Sequence, residues 1–445
     1  MALRGQFGAL FRALHRRRGR SGLPRPEAGL LADLPWIRFG GLLLGLGLFF
    51  GAAWIAALGL SLLLSGGLGL AWSRFALKRV SVERRLGTAR VFAGESVSYE
   101  IRLHNDKVLP LAWLRLRDQV PEGLGYPGAA LERSGEARRL NMLHLTALGP
   151  YQRMTWRYTL DCPRRGHYRF GPARLHSGDL FGLFETERED PSVITLVVYP
   201  QVRRLTELGI PAGEPFGGRR VDRVLNRDPL RPIGMRDYQP GDRLRDVHWK
   251  ATARRPQGPL QVKVIEPVSR PAVFLVLDIN TQPHVALGVD PVMQERLIAV
   301  AASMAVDAVE GGYPFGLAAN GIVPGQGRPI RMPIAQGPAC LSGALEALAA
   351  IGAYVRLPLH RLLASEARRA PWGASLVVLS SVVGEPLQQE LLRLARSGRR
   401  VTLVSLDAPE RKAPRGVGFH HIPPEALDFA APGGMPSLAA DGLSP

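Results

Sequence analysis

Between residues 39 and 73 the chain carries no charged side chain. A helix over that run would measure about 52 Å at ~1.5 Å per residue, against a hydrocarbon core of ~30 Å. One straight span leaves too much of it unused. Two spans of ~17 residues, reversing between Trp54 and Gly59, sit at the lower limit for crossing. Before the run stand Arg4, Arg12, Arg16, Arg17, Arg18, Arg20, Arg25 and Arg38 against Glu27 and Asp33; after it stand Arg74, Lys78, Arg79, Arg84 and Arg85 against Glu83. Both flanks read as cytoplasmic by the positive-inside rule, which favours a transmembrane helical hairpin over a single tilted span with an external bulk. The run starts too late and is too long for a cleaved signal segment. Ahead of it, Leu3, Phe7, Leu10, Phe11 and Leu14 recur at helical spacing among arginines. That spacing fits either a helix lying on an anionic membrane surface or a disordered basic tail.

The 445 residues are enough for two to four domains, and the net charge is +19, from 57 Lys and Arg against 38 Asp and Glu. Such an excess points to anionic neighbours such as lipid, acidic protein or nucleic acid. Arg, Gly, Ala, Leu and Pro are all abundant, a bias read in part as GC-rich coding, so charge alone does not call for specific nucleic-acid binding. Cys162 and Cys340 lie far apart, without metal-ligand spacing or a disulfide framework.

From residue 80 to residue 199 the pattern turns to short alternating segments. Val97, Tyr99, Ile101 and Leu103 fall on one face at period two. Further strands are expected at residues 112–120, 153–162 and 193–200, separated by Asn105-Asp106, Pro121, Gly149-Pro150 and Asp190-Pro191. This is the pattern of an antiparallel β-sandwich. Within it, Gly166, Gly171 and Gly182 supply turns and Tyr168, Phe170, Phe181 and Phe184 supply core. His167 and His176 lack acidic or Cys partners at ligand spacing. From residue 271 the pattern becomes doubly wound α/β: a continuous apolar strand ending at Asp278, a helix over 291–309, and further strands alternating with helices. After residue 407, Pro, Gly and Ala dominate, and residues 409–445 read as a flexible tail.

Between these two parts lies "MRDYQPGDRLRDVHWKATARR", residues 235–255. Gln239-Pro240-Gly241-Asp242 is a turn: Pro sets φ at its second position and Gly permits φ > 0 at its third. A short helix is expected over residues 245–251, with Asp242 as its N-cap and Asp246 and Lys250 paired at i,i+4. A strand follows, with Leu260, Val262 and Val264 on one face. Asp246, His248 and Lys250 are acid/base types, which keeps a hydrolase or transferase open as the alternative. Yet residues i and i+2 of a helix do not face each other, and no nucleophile elbow, phosphate loop or metal motif accompanies them. The main expectation is an electrostatic clamp, its arginines bridging the two domains or meeting a partner. In that case Asp242→Ala and Trp249→Ala would loosen the inter-domain arrangement.

The stretch resembles "REYxPGDxxRxIxWKxxAR" of the bacterial family called domain of unknown function 58. It matches at Arg236, Tyr238, Pro240, Gly241, Asp242, Arg245, Trp249, Lys250, Ala253 and Arg254, and Arg255 follows. The resemblance extends over roughly residues 39–410 through "RRGHYRF", "GDLFGLF" and "VVYP". It implies an apolar hairpin, a β domain and a von Willebrand factor A-like domain. It also implies work beside a MoxR-type AAA+ ATPase in assembling or maturing other proteins. An A domain holds its metal through D-x-S-x-S, where hard cations find carboxylate and hydroxyl oxygens. Here the loop reads Asp278, Asn280 and Gln282, with Ser380 and Ser381 in a later loop, a degenerate site from which no strong magnesium binding is expected.

The organisation expected is therefore a basic segment (1–36), a transmembrane hairpin (37–75), a β-sandwich (76–205), a signature hinge (206–268), an A-like α/β domain (269–408) and a tail (409–445). The expected function is that of a non-enzymatic interaction protein, anchored in the bacterial cell membrane with its bulk in the cytoplasm. Binding of anionic polymers remains a further alternative.

Overall fold

A computed structural model describes residues 35–180, 182, 184–211, 215–216, 232–240, 242, 244, 247–254, 258–265, 271–282, 288–323, 329–406 and 414–427. The amphipathic spacing expected at Leu3 to Leu14 lies outside them, as does Phe181.

The uncharged run folds into two helices, α1 (Pro35–Phe49) and α2 (Ala53–Ala76), which pack antiparallel. They approach at backbone distance. A Cβ on Gly47 would sit 2.3 Å from the Ala56 nitrogen, and one on Gly59 would sit 2.4 Å from the Leu44 nitrogen. Small residues are what allow such contact between apolar helices. The reversal falls at residues 50–52, earlier than expected, because Gly51 takes a left-handed φ of +67° that other residues there would resist. Among the described residues, α2 is the one helix long and apolar enough to cross a bilayer. Its last turns enter the next domain, where Ser73, Ala76 and Leu77 are buried. The Arg188 guanidinium ties down the exit by donating to the Leu77 carbonyl at 2.7 Å and to that of Val80.

The β domain contains β1 (Val80–Leu86), β2 (Arg90–Phe92), β3 (Ser96–Asn105), β4 (Leu111–Pro121), β5 (Leu131–Arg133), β6 (Arg139–Leu148), β7 (Arg153–Asp161), β8 (Gly166–Phe170), β9 (Ala173–Gly178), β10 (Glu185–Asp190) and β11 (Ile194–Tyr199). They form sheets ordered β1-β3-β7, β10-β9-β4-β6-β5 and β2-β11-β8, antiparallel throughout except for β2 with β11. The period-two residues of β3 face Leu114, Leu116, Leu175, Phe170 and Leu196 in one shared core. Inside that core lies a charged network. Arg84 Nε donates to Asp118 Oδ1 at 2.8 Å, Tyr99 donates to the other Asp118 oxygen, and Arg84 Nη1 reaches Asp190 at 3.2 Å. His176 does have an acidic neighbour: its Nε2 lies 3.1 Å from Glu185, brought there by the pairing of β9 with β10.

The signature stretch lies on a separate two-stranded ribbon of β12 (Pro232–Asp237) and β13 (Gln261–Ile265), with the one-turn α3 (Trp249–Thr252) in its connection. The last domain is a six-stranded sheet built from β14 (Val273–Leu277), β15 (Phe315–Ile322), β16 (Pro329–Ala335), β17 (Ser375–Ser380), β18 (Arg400–Ser405) and β19 (Gly418–His421), in the order β16-β15-β14-β17-β18-β19. Only the β16 edge is antiparallel. Helices α4 (Pro291–Glu310) and α5 (Pro338–Ala350) cover one face, and α6 (Leu359–Arg369) and α7 (Glu385–Arg396) cover the other.

Two expected boundaries shift. Leu205, Leu208, Ile210 and Phe216 are buried in the α/β core, so the chain joins that domain before residue 206. The expected tail supplies the sixth strand, with Ile422 and Leu427 buried beyond it. Four residues are too short a run to show periodicity; pairing with β18 is what orders them.

The two large domains are joined by arginines of the β domain. Arg165 donates from Nε to the Leu348 carbonyl at 3.1 Å and from Nη2 to that of Ile351 at 3.0 Å, and pairs with Glu295. Those carbonyls are at the C-terminal end of α5, where four backbone acceptors lack intrahelical donors and the dipole favours a cation. Arg90 adds an ion pair to Glu346 at 2.7 Å.

Candidate functional site

The ribbon is built from backbone pairing upward. β12 and β13 run antiparallel, with Arg236 opposite Val262 and Asp237 opposite Gln261. Val247 forms a bridge with Val262, and both are buried. The expected turn is present, with the Asp242 N–H donating to the Gln239 carbonyl at 3.0 Å. Asp242 also accepts from the Gln239 N–H at 2.9 Å and takes both arms of Arg236, at 2.8 and 2.6 Å. That bidentate fork is the strong form of an arginine–carboxylate contact. Asp242 therefore pins the turn to the strand, and α3 has another residue as its N-cap.

The cap is His248. Its Nδ1 accepts from the Ala251 N–H at 3.0 Å, so the ring proton sits on Nε2. The helix is shorter than expected: Val247 belongs to the bridge, and α3 starts only at Trp249. The Asp246–Lys250 pair that a longer helix would present falls on residues of which only the exposed Lys250 is described. Gly241, Arg245, Asp246 and Arg255 lie outside the described residues. Tyr238 is half-buried, and its N–H donates to the Leu260 carbonyl at 2.8 Å. Pro240 and Arg254 are exposed, while Ala253 is exposed at the end of α3.

Sequence reasoning missed Gln261 and Thr252. Gln261 is buried, donating from Nε2 to Asp237 at 2.6 Å. Its backbone N–H donates to Thr252 Oγ1 at 3.0 Å, and that hydroxyl donates to the His248 carbonyl at 3.2 Å. The available signal was a polar residue between two apolar ones in "LQVKV", which alternation assigns to solvent. Together these bonds make the ribbon a small rigid unit.

On it stand large apolar side chains in water. Trp249 and Leu244 are each 63% exposed, and Met235 is 56% exposed. At that exposure Trp249 is not buried between the two domains, which speaks against the expected loosening by Trp249→Ala. The domain clamp is formed by Arg165 and Arg90, because the carbonyls and carboxylates they meet lie against the β domain.

With His248 Nδ1 engaged by the backbone, the imidazole lacks the free pair of nitrogens that a relay between two partners needs. His248→Ala is expected to cost about 1 kcal/mol of local stability, and His248→Asn, which can still cap, less than about 0.5 kcal/mol. Amide exchange at Ala251 measures this, and equal losses in the two variants would count against the capping role.

A second constellation lies at the carboxyl ends of the central strands. Asp278 is buried and accepts from the Asn280 N–H at 2.9 Å, Asn320 Nδ2 at 2.6 Å and Ser380 Oγ at 2.9 Å. Burial pushes its carboxyl up, and those hydrogen bonds pull against the shift. Ser381 Oγ donates to the Asn280 carbonyl at 3.3 Å, and Asn280 Nδ2 to that of Gln282 at 2.8 Å. The Asn280 side-chain oxygen is buried without a partner. One carboxylate with both oxygens already hydrogen-bonded, flanked by amides, does not fit the oxygen shell of a hard divalent cation. Asp278 holds three strand ends together.

Residues 234–421 match the family described as Protein of unknown function DUF58. That match begins at the ribbon and ends with β19. The chain is 26% identical over 247 residues to the uncharacterized protein YeaD of Bacillus subtilis (strain 168), covering 56% of this chain and 57% of that protein. It thus spans little more than half the length of that curated relative. Both findings support membership of the DUF58 family. Among solved structures, a CARDB domain from Pyrococcus furiosus, in complex with di-metal ions, is 15% identical, covering 27% of this chain and 91% of that one at a TM-score of 0.19. The major pilin SpaD of Corynebacterium diphtheriae is 9% identical, covering 26% and 34%, at 0.21. At such scores neither likeness carries an argument.

Proposed function

We propose that this chain is a membrane-anchored interaction protein of the bacterial cell membrane, with no chemistry of its own. In this reading α1 and α2 form the transmembrane hairpin, and the bulk of the chain stands in the cytoplasm. Arg38 and the cluster Arg74, Lys78 and Arg79 then share one side of the bilayer, as the antiparallel packing and the positive-inside rule require. The α/β domain acts as a von Willebrand factor A-like module without a metal. The signature ribbon is the contact for a MoxR-type AAA+ ATPase, and the joint task is assembly or maturation of other proteins.

The observation that supports this most is the exposure of Trp249, Leu244 and Met235 on a ribbon stiffened by its own hydrogen bonds. Exposed apolar residues in the same stretch as Arg236, Lys250 and Arg254 have the composition of an interface, where Trp and Arg dominate binding energy. Recovery of the tagged full-length chain from mildly solubilised membranes, with and without ATP, tests it. A nucleotide-dependent AAA+ ATPase is expected to co-purify. Trp249→Ala is expected to reduce that recovery at least tenfold while changing stability by less than about 0.5 kcal/mol. Undiminished recovery with Trp249→Ala, or no ATPase recovered with the well-folded chain, would remove the reading.

A further inference from the structure

Where α2 leaves its apolar stretch and meets the β domain, a cavity of about 640 Å³ opens to the surface. One wall is the helix face carrying Leu68, Ala71 and Phe75, and the rim carries Lys78, Arg79 and Lys107. The fold brings these cations together from distant positions. Val80 pairs with Asn105 in the β1–β3 register, and the Asp106 N–H donates to the Arg79 carbonyl at 2.9 Å, so residues 78–79 lie beside residues 106–107. No carboxylate lines the cavity among the described residues.

Three features of the lining suit an anion with a hydrocarbon tail. Lys107 is half-buried, with its Nζ donating to Asn105 Oδ1 at 2.7 Å; burial, aided by the nearby charge of Arg188, lowers its ammonium to about 8. Lys78 Nζ is held over the Phe75 ring at 4.4 Å, which brings a charge and an apolar edge side by side. Trp72, also in the lining, has a buried indole N–H without an acceptor among the described residues. The apolar wall continues along α2 as the exposed stripe Leu60, Leu64 and Leu68, spaced for one helical face. A small soluble anion would use the rim and leave that stripe unmatched.

We propose that this cavity is a specific site for an anionic phospholipid, whose phosphate sits among Lys78, Arg79 and Lys107 and whose acyl chain follows Leu68 and Phe75 up the helix. The proposal rests on the membrane reading of α2. A helix of 24 residues is about 36 Å long, so a hydrocarbon core of ~30 Å leaves its last turns at headgroup level.

The test uses the full-length chain and lipids of stated composition. Native mass spectrometry in detergent with phosphatidylglycerol or phosphatidylcholine is expected to show about tenfold preference for phosphatidylglycerol. The triple variant Lys78→Gln, Arg79→Gln, Lys107→Gln is expected to abolish that preference, and millimolar inorganic phosphate is expected not to compete. Lys78 and Arg79 are exposed, and Gln at position 107 can still donate to Asn105, so the variant should keep its fold, as a matching thermal transition will show. Equal binding of both lipids, an unchanged preference in the triple variant, or competition by phosphate would overturn the proposal. Flotation with phosphatidylcholine vesicles reads anchoring separately. Flotation of both wild type and variant leaves the membrane reading standing whatever the lipid preference, and failure of the wild type to float overturns both.

Discussion

Asp118→Ala is expected to lower the stability of the β domain by about 3 kcal/mol, the cost of leaving the buried Arg84 with only the partly exposed Asp190 as counter-charge and Tyr99 without its acceptor. Arg84 and Asp118 are both buried, and the pair is closed on one side by Tyr99 and on the other by Asp190 and Ser192, whose hydroxyl lies 2.6 Å from Arg84. The network joins β1, β3 and β4 to the segment after β10, so one side chain organises four parts of the chain. Asp118→Asn keeps an acceptor for Tyr99 and is expected to cost less, although Arg84 keeps only Asp190 as counter-charge. The control is the double replacement Arg84→Met, Asp118→Leu, which removes the two buried charges, leaves Asp190 partly exposed beside Ser192, and is expected to be milder than the single change. Thermal or denaturant unfolding of the full-length chain in detergent measures all three. A loss below about 1 kcal/mol for Asp118→Ala would mean that Asp190 alone suffices to hold the buried Arg84.

Arg165→Ala is the second large effect, expected at about 3 kcal/mol and confined to the coupling between the domains. The Arg165 side chain is only 6% exposed and meets two carbonyls at the end of α5 together with Glu295 of α4. Removing it takes a donor from both carbonyls, of which that of Leu348 keeps only the long 3.4 Å bond from the Ile351 N–H. Each domain keeps its own core, so the variant is expected to split one unfolding transition into two and to admit protease into the crossing between them. Arg165→Lys keeps the charge but cannot span both carbonyls with one planar fork, and is expected to lie between. A single transition at the wild-type temperature in Arg165→Ala would show that the apolar contacts of Tyr199 to Phe216 suffice to hold the domains together.

The elements with a strong local period were legible without the structure. Val97, Tyr99, Ile101 and Leu103 alternate and are buried as they alternate; Val273 to Leu277 are apolar without a break and are buried on both faces. The turn at Gln239 to Asp242 needed only its own residue types, because Pro and Asp act on the backbone next to them. The uncharged run marked two helices, and Gly51 fixed where they part.

Other features depended on partners far away in the chain. Arg84 and Asp118 fall on the inward faces of their strands by alternation, after Val80 and Val82 and between Leu116 and Val120; what no local pattern shows is their pairing, by which each neutralises the other across 34 residues. Arg165 looked like one basic residue among many until α5 presented carbonyls to it from 183 residues away. Gly418 to His421 are too few to carry a period and become a strand only against β18. His248, and not Asp242, caps α3 because the carboxylate is drawn to Arg236 by the pairing of β12 with β13. Periodicity told which face of a segment avoids water, and so determined the helices and the main strands. Charge partners, domain edges and the exposure of Trp249 were decided by tertiary structure alone, because a Coulomb contact or a short edge strand has no local period to betray it.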